Sequence, residues 1–439
     1  MKIIICLILE KNRYLADILE LKTRLKTNVF MGIRLGFIGM GKRGLRHLAM
    51  LCDRTDVAIV SIAEPLPKQN ALAQTILAKK FHNPTFYDKN PQDYQRMIEQ
   101  ESLDAVLIYT PWKEHLAQSR FAMQHGVRVG VEVSGAESLE ECWAFVEAYE
   151  QTQTPIMLLE NCCYRRDVLS IAQMIQKGIF GELVYLKGGY QHDIRSVLFD
   201  EKLNFGAETQ GESNWRTQEY LERNADIYPT HGLGPMAIFN DINAGNRITQ
   251  VRSLATKSVG MKNFCQKNIA FKLGDIVLTQ MQCERGEVMQ LTHDTSLPRP
   301  FNLGLMVQGS KGIWQEFYRG DFSDGQIYLE KNDAAAPLEK RWQSPKKYLR
   351  KNDSSIWVKF RKKITKFGRY GIDYIMLNDF IERIQQGQDF RIDVYDLATW
   401  KAITPLSEQS IQANGKMVEM PDFTKGKYIN RKNKFKNYE

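Results

Sequence analysis

The sequence predicts an α/β protein in which a doubly wound parallel sheet is followed by an α+β domain with an open, mostly antiparallel sheet. Three observations predict this fold. Short apolar runs alternate with helical patterns up to about residue 155, as is typical of a parallel sheet. A glycine-rich turn follows the first of these runs. Beyond about residue 180 the runs become longer and partly alternate polar with apolar residues, which favours antiparallel pairing.

The length predicts two domains, because 439 residues are too many for one hydrophobic core. We expect a first domain at 31–155 and a second at 156–415, flanked by an N-terminal extension at 1–30 and a basic C-terminal tail at 416–439. No apolar run approaches the ~20 residues that a membrane-spanning helix needs. An integral membrane segment is therefore not expected.

The glycine-rich turn is Gly39-Met40-Gly41-Lys42-Arg43-Gly44, between the apolar run 35–38 and a helical pattern. In a dinucleotide fingerprint the first glycine makes the turn, the second admits a pyrophosphate and the third lets the helix approach the sheet. The N–H groups at the start of that helix would hold the phosphates. A glycine turn without a ligand is the alternative. The pattern predicts a Rossmann domain.

Glu64 indicates which dinucleotide binds. It ends the second apolar run, 57–63, about twenty residues after Gly44, where an acidic side chain binds the ribose 2′-hydroxyl. A carboxylate there would repel a 2′-phosphate, so NAD is predicted rather than NADP.

The remaining elements follow in order. Further patterns in the first domain mark helices at 69–80, 91–100, from 112 and from 138, and strands at 105–109, 127–132 and 155–159. Ligands bind at the carboxyl ends of parallel strands, where Trp112, His115, Glu132 and Asn161 lie. In the second domain we predict strands at 183–190, 276–283, 288–293 and 303–308, and helices at 229–243, 372–386 and 395–412.

The cysteines and the charge distribution limit which metal sites, disulfides and binding partners the sequence predicts. Seven scattered cysteines form no C-x-x-C pair, so the sequence predicts neither a zinc site nor a disulfide framework. The net charge of +9 is concentrated at 340–369 and 425–436, where a solvated face and a frayed tail are the default interpretation. Attraction to acidic glycans or a membrane surface stays open. No nucleic-acid module accompanies the charge, so nucleic acid is not a predicted partner.

The first thirty residues precede a natural start at Met31. An apolar run opens this extension, but Glu10, Lys11 and Arg13 follow without a cleavage site, which makes a poor signal peptide. One hypothesis is that residues 1–30 are upstream sequence read as coding, so that the working protein begins near Met31. The other is that they form an additional amphipathic helix. A cytoplasmic location is the default expectation.

Several longer motifs resemble a known family. They are TPWKEH (110–115), VGVEVSGAESLEECW (129–143), LENCCY (159–164), SNWR (213–216), NADIYPTHGLGPMAIFNDINAGNR (224–247), HDTSLPRP (293–300), QGSKGIW (308–314) and IDVYDLATW (392–400). With them, the chain from 31 to about 412 resembles the glucose-fructose oxidoreductase / inositol dehydrogenase (Gfo/Idh/MocA) superfamily. YPTHGLGP and LENCCY resemble more closely glycoside hydrolase family 109, the NAD-dependent α-N-acetylgalactosaminidases.

Departures from the superfamily support the closer resemblance. Its dehydrogenases usually carry glutamate-lysine-proline where this chain has Glu132-Val133-Ser134, and an aspartate where Ile227 stands, four residues before His231. Family 109 shares the glutamate-valine pair. The chain also departs from family 109 at three places: Phe301 replaces a tyrosine, the turn 368–371 lacks a histidine, and Glu64 replaces an aspartate. With these departures the substrate preference could differ from α-N-acetylgalactosamine.

The resemblance implies a glycosidase that hydrolyses N-acetylgalactosaminides or a related hexoside. C3 of the sugar is transiently oxidised by NAD+, the C1 leaving group is eliminated after loss of the C2 proton, water adds at C1, and C3 is reduced again. The alternative is an NAD-dependent sugar dehydrogenase of the superfamily, with net NADH formation. A non-catalytic sensor is a third possibility.

The resemblance also implies site residues. Proton transfer falls to His231 with Tyr228, which share a helix face by their i, i+3 spacing; a lone histidine would otherwise be read as a core residue. Substrate contacts are Tyr190, Arg216, Tyr228, Pro229, Thr230 and His231. Cofactor contacts are Gly39, Met40, Gly41, Lys42, Arg43, Gly44, Glu64, Trp112, Lys113, Glu114, His115, Glu132, Val133 and Asn161. Trp112 is expected to close the pocket. No metal is predicted, and a carbohydrate substrate and a homo-oligomer through the second-domain sheet are expected.

Overall fold

The computed structural model describes residues 32–79, 82–317, 325–330 and 342–436. The predicted architecture is confirmed: a six-stranded parallel sheet is followed by an eight-stranded, mostly antiparallel sheet. The N-terminal extension lies outside the described residues, so neither hypothesis about it is tested. The six cysteines of the described ranges are all buried.

The first sheet is doubly wound. Its strands, β1–β6 in chain order, are Ile33–Ile38, Val57–Ala63, Thr85–Tyr87, Ala105–Ile108, Arg128–Val131 and Ile156–Leu158. They are parallel and pair in the order β3-β2-β1-β4-β5-β6. The strand order reverses beside β1, and ligands of such sheets bind at that point. The last strand, β6, lies just beyond the boundary predicted at residue 155.

Five α-helices cover the first sheet. They are Lys42–Leu51, Pro67–Ala78, Asp93–Gln100, His115–Gln124 and Leu139–Thr152. Ser138 caps the last one, because its Oγ accepts a hydrogen bond from the Glu141 N–H at 3.3 Å. The helix predicted from residue 112 opens instead with a 3₁₀ turn, Trp112–Glu114, and becomes α-helical at His115.

The second sheet is antiparallel in the described ranges except for one parallel pair of strands near its centre. Its strands, β7–β14, are Leu183–Gln191, Ile248–Ala255, Ile276–Cys283, Val288–Asp294, Met306–Gly309, Gly312–Glu316, Gly325–Leu329 and Val418–Glu419. The order is β13-β12-β11-β7-β10-β9-β8-β14, and in the described ranges β7 and β10 are the parallel pair. The strand predicted from residue 303 begins at Met306, since Gly304 has a left-handed φ of 61° that interrupts the extended chain.

The second domain carries helices Arg166–Gln176, Arg195–Leu198, Glu212–Glu222, Thr230–Phe239, Gly260–Cys265, Lys346–Lys351, Ser355–Ile364, Gly371–Gln385, Val394–Lys401 and Ile403–Gln412. Two predicted helices differ. The one predicted at 229–243 ends at Phe239, because Asp241 and Asn243 adopt left-handed φ values of 52° and 60°. The one predicted at 395–412 is two helices that meet at Ala402. Pro405, near the start of the second, cannot donate a helical hydrogen bond.

The prediction of a frayed basic tail is wrong for the described part of the tail. The Phe435 ring packs against Tyr164 with centroids 5.4 Å apart, and Asn433 Nδ2 donates to the Ile238 carbonyl at 2.7 Å. The Lys436 ammonium lies 2.5 Å from an Asp241 oxygen. The tail docks because its cations meet carboxylates of the second domain, which composition alone did not reveal.

The other basic stretch behaves as predicted. Most of the lysines and arginines between 346 and 363 are exposed on two short helices, which makes a solvated face. Among the described helices, none is both long and apolar enough to cross a membrane.

Candidate active site

The glycine turn has the geometry that the fingerprint predicts. Gly39 has a φ of 89°, and a Cβ on Gly44 would collide with the Gly39 carbonyl oxygen. Among the described residues, no atom lies within 4 Å of the position that a Cβ on Gly41 would take. Gly41 therefore faces open space at the start of helix Lys42–Leu51, which fits a pyrophosphate against the backbone.

Glu64 lies beside this turn, at the end of β2. Its carboxylate accepts hydrogen bonds from the Met40 N–H at 2.6 Å and the Leu66 N–H at 2.9 Å. Burial raises the pKa of Glu64, and the two N–H donors oppose that effect. The carboxylate is thus held at the edge of the glycine turn, the position that an adenosine ribose requires.

Two predicted cofactor contacts, Arg43 and Asn161, meet at an aspartate that the sequence analysis missed, and a third, Glu132, contacts Arg43. Arg43 Nη1 lies 2.8 Å from Asp373 Oδ2, and Arg43 Nε lies 3.1 Å from Glu132 Oε2. Asn161 Nδ2 donates to Asp373 Oδ1 at 2.6 Å. Asp373 comes from helix Gly371–Gln385 of the second domain, so it joins that domain to the cofactor region of the first.

The Asp373 carboxylate is fully buried. Burial alone would raise its pKa, but Arg43 and then His47 and Asn161 hold the pKa well below the usual range. His47 Nε2 lies 3.7 Å from Asp373 Oδ2, and His47 Nδ1 is hydrogen-bonded to the Tyr109 hydroxyl at 2.7 Å. The result is a continuous polar network beneath the glycine turn.

The TPWKEH segment divides between the pocket and the surface. Trp112 is buried and packs edge-on against Tyr228 with centroids 5.0 Å apart. Lys113 points outward, and its ammonium lies 3.7 Å from Glu222; Glu114 is exposed as well.

His115 from the same segment is buried, with Nε2 3.0 Å from the Thr110 carbonyl. Burial, followed by the charge of Lys401, lowers the pKa of His115 to about 3. Its imidazole is therefore neutral at physiological pH and braces the loop. Val133 is buried as well.

The predicted substrate residues converge next to Trp112. Tyr190 packs on Tyr228 at 5.0 Å and on His231 at 4.8 Å between centroids. The Arg216 guanidinium lies over the Trp112 ring at 5.2 Å and donates to the Tyr228 hydroxyl. Burial raises the pKa of Tyr228 to about 12, and the charge of Arg216 opposes this rise. Two hydroxyls, a guanidinium and an imidazole thus form one cluster beside Trp112, which we call the pocket.

His231 is held by Glu160, a residue that the sequence analysis did not assign. His231 Nδ1 lies 3.0 Å from Glu160 Oε1, and the Glu160 side chain is fully buried, at 0 % exposure. Burial would raise the pKa of Glu160, but His231 brings it below the ordinary value. The ionised carboxylate accepts a proton-bearing Nδ1, which leaves Nε2 as the basic nitrogen.

The neighbours of this pair complete the pocket. Pro229 and Thr230, two predicted substrate contacts, are buried at the start of helix Thr230–Phe239, beside Tyr228 and His231 in the chain. The Tyr190 hydroxyl is hydrogen-bonded to His192 Nδ1 at 2.9 Å. Phe301 packs edge-on against His192 with centroids 5.2 Å apart and against Tyr190 at 6.3 Å, so this phenyl ring borders the cluster.

His293 lies behind Tyr228 and is closed off from the pocket. The two rings stack 5.9 Å apart, and burial lowers the pKa of His293 to about 3. It is therefore a neutral core histidine.

Substitution of Gly41 or Gly44 by alanine distinguishes an effect on cofactor binding from an effect on folding. Gly41→Ala should leave the melting temperature unchanged but weaken NADH binding by about tenfold or more, since its methyl group enters the open space described above. Gly44→Ala should lower the melting temperature as well, because its methyl group overlaps the Gly39 carbonyl. Thermal melting and NADH fluorescence titration measure both effects. Equal NADH affinity of Gly41→Ala and the wild type would contradict the placement of the pyrophosphate.

Comparisons with known proteins agree with this geometry. Residues 33–159 match the family described as "Oxidoreductase family, NAD-binding Rossmann fold", and residues 164–430 match "Glycosyl hydrolase 109, C-terminal domain". A glycosyl hydrolase family 109 protein of Stenotrophomonas maltophilia is 39% identical over 91% of this chain and 91% of its own. An alpha-N-acetylgalactosaminidase of Tannerella forsythia is 38% identical over 92% of this chain and 88% of its own.

Solved structures show the same fold at low identity. Levoglucosan dehydrogenase in complex with NADH and levoglucosan superposes with a TM-score of 0.65 at 18% identity, over 89% of this chain and 100% of its own. An NAD-binding oxidoreductase from Klebsiella pneumoniae superposes with a TM-score of 0.68 at 15% identity, over 89% of this chain and 99% of its own.

The fold and the site define an NAD-binding protein whose first domain is of the Gfo/Idh/MocA oxidoreductase type. Within that class, the chain belongs to glycosyl hydrolase family 109. It is a glycoside hydrolase that uses NAD, as the sequence motifs predicted.

Proposed function

We propose that the protein hydrolyses α-N-acetylgalactosaminides, or closely related hexosides, by NAD-dependent transient oxidation at C3. The observation that carries this proposal is the pair of His231 and Glu160 beside Tyr190, Tyr228 and Arg216 in one pocket. The names of relatives support the sugar: those from Tannerella forsythia and Shewanella oneidensis are both called alpha-N-acetylgalactosaminidase.

The cofactor site is proposed from the residues around the glycine turn. Gly39, Gly41 and Gly44, with the N–H groups of Lys42 and Arg43, would hold the pyrophosphate, and Glu64 the adenosine ribose. Glu132 and Asn161 would face the nicotinamide half, because they follow β5 and β6, on the opposite side of β1 from β2 and Glu64. When bound, NAD+ supplies a reversible hydride acceptor for sugar C3.

The chain's own groups would manage protons and orientation. His231 Nε2, made basic by the Nδ1–H bond to Glu160, is proposed to take the C2 proton and to return it. Arg216 and the Tyr228 hydroxyl would bind the sugar hydroxyl or acetamido oxygen, since a guanidinium in an aromatic cage is a strong oriented donor. Tyr190 packs against His231 and would hold the imidazole plane.

The sugar dehydrogenase alternative gains no support from the site. The residue after Glu132 is Val133, whose side chain is buried, so the superfamily's lysine has no substitute at that position. Transient oxidation at C3 also releases the proton of the C3 hydroxyl, and we assign that proton to His231 and Tyr228, the groups proposed for proton transfer.

We also propose that the uncovered face of the second sheet joins two copies of the chain. Leu254, Leu278 and Val288 are 51%, 41% and 38% exposed. Leu254 is paired with Leu278 on the adjacent strand, and Val288 pairs with Gln282 on the same face. Apolar side chains on one open sheet face favour pairing with a second copy.

A substrate panel tests the proposed activity. The purified protein is incubated with nitrophenyl N-acetylhexosaminides and hexosides while nitrophenol release and NADH absorbance are followed together. Release from the α-N-acetylgalactosaminide without net NADH formation is expected. Stoichiometric NADH formation from a free sugar, without nitrophenol release, would instead assign the protein to the dehydrogenases.

A further inference from the structure

A cluster of metal-binding atoms lies behind the proposed catalytic histidine. Glu160, Cys162 and His231 each present one ligand atom, and within the described ranges these atoms lie within 4.8 Å of one another. His231 Nδ1 lies 3.0 Å from Glu160 Oε1 and 3.7 Å from Cys162 Sγ. The sequence predicted no zinc site, because the cysteines form no C-x-x-C pair; Glu160 and Cys162 stand two positions apart, but His231 follows about seventy positions later.

The spacing of these atoms fits a tetrahedral metal. Zinc binds nitrogen and carboxylate oxygen at about 2.0–2.2 Å and thiolate sulfur at about 2.3 Å. Tetrahedral angles then place neighbouring ligand atoms roughly 3.3–3.7 Å apart. The separations from His231 Nδ1 are 3.0 Å and 3.7 Å, and the Glu160 and Cys162 ligand atoms lie within 4.8 Å of each other, so side-chain adjustment can bring all three to one cation.

Charge and access also suit a divalent, thiophilic cation. A carboxylate and a thiolate neutralise the two charges of Zn²⁺, and the mixture of sulfur, nitrogen and oxygen selects zinc or cadmium over magnesium. Cys162 is buried, whereas His231 is partly exposed to the pocket. The cation would enter from the substrate side and release the thiol proton to solvent.

Metal binding would change the chemistry of His231. A metal can bind Nδ1 only through the lone pair of that nitrogen. The single N–H proton of the neutral ring, which Nδ1 otherwise donates to Glu160, must then lie on Nε2. Nε2 would become a donor instead of an acceptor. The nitrogen proposed to take the sugar proton would lose its lone pair.

We propose that Glu160, Cys162 and His231 form a binding site for Zn²⁺, which inhibits the enzyme by shifting the His231 proton to Nε2. Binding of the cation is independent of the glycosidase activity, and the inhibitory effect rests on the proposed function. The site would make the enzyme sensitive to thiophilic cations while NAD binding is retained.

Binding is tested first without any turnover. The NAD-loaded protein is titrated with Cd²⁺, whose bond to a thiolate produces a charge-transfer absorption in the ultraviolet. The wild type and Cys163→Ala should develop this absorption, since Cys163 is a buried neighbour that is not among the clustered residues. Cys162→Ala should not. Absorption that persists in Cys162→Ala, or is absent from the wild type, would overturn the site.

Inhibition is tested second, with each variant compared with its own metal-free rate. Zn²⁺ should inhibit nitrophenol release by the wild type and Cys163→Ala, and Mg²⁺ should not. Cys162→Ala should need at least about 100-fold more Zn²⁺ for the same inhibition, because loss of a ligand costs more than the roughly 10–100-fold typical of an outer-shell partner. Cadmium binding without zinc inhibition would overturn the proton shift. A metal-free wild type without turnover would instead refute the proposed function, and the cadmium titration would still decide the metal site.

Discussion

Replacement of Glu160 by glutamine is expected to lower kcat by about 10²–10⁴-fold, nearly as much as replacement of His231 by alanine. The expectation follows from the 3.0 Å contact between Glu160 Oε1 and His231 Nδ1. A glutamine that turns its amide toward Nδ1 donates a hydrogen bond there and leaves the imidazole proton on Nε2. His231 then keeps its position, but its Nε2 carries a proton and cannot accept one from the sugar.

Three measurements separate this effect from a loss of structure. Steady-state kinetics should show the fall in kcat. NADH titration should show an unchanged NAD affinity, and thermal melting an intact fold. Glu287→Gln is the matched control, because Glu287 is also buried and accepts a hydrogen bond from Asn246 at 3.2 Å, remote from the pocket. A Glu160→Gln variant with the wild-type kcat would show that the carboxylate does not position His231.

Replacement of Asp373 by asparagine is expected to weaken NADH binding by about tenfold or more. Asp373 is the common partner of Arg43 and Asn161, at 2.8 Å and 2.6 Å, and Arg43 in turn contacts Glu132. Without the carboxylate, Arg43 keeps one of its two anionic partners and the proposed cofactor contacts lose their fixed arrangement. Breaking a buried ion pair also costs up to about 3–5 kcal/mol of folding free energy.

Asp353→Asn is the control for this prediction. Asp353 forms a partly buried pair with Arg166 at 2.7 Å in the second domain, away from the glycine turn. It should lower the melting temperature without changing NADH affinity. If both variants bind NADH as the wild type does, the Asp373 network has only a structural role.

Local patterns in the sequence were sufficient for the fold class. The glycine turn, Glu64 and most of the alternation of strands with helices depend on residues close together in the chain, and they occur close to where the patterns predicted. The sequence analysis missed the short strand β3 and, in the second sheet, the strands β8, β12, β13 and β14. YPTH predicted that Tyr228 and His231 share a helix face, but the helix begins at Thr230 and Tyr228 precedes it. Both rings nevertheless contact Tyr190.

The supporting residues could not be predicted in the same way. Asp373 lies 330 positions from Arg43, and Glu160 lies 71 positions from His231. Neither acid has a local pattern that distinguishes it from a surface carboxylate. Glu160 does stand in the LENCCY motif at a strand end, a position that could have marked it as a candidate. The docking of the basic tail depends on carboxylates that are just as distant.

One measurement tests the central claim most directly: hydrolysis of the α-N-acetylgalactosaminide in D₂O, followed by mass spectrometry and NMR of the released sugar. If elimination proceeds through loss of the C2 proton, that proton passes to a partly exposed His231, at 16 % side-chain exposure, and exchanges with solvent. The sugar should then carry deuterium at C2, with no net NADH formed. Released sugar without deuterium at C2 would indicate direct displacement at C1 and contradict the NAD-dependent mechanism.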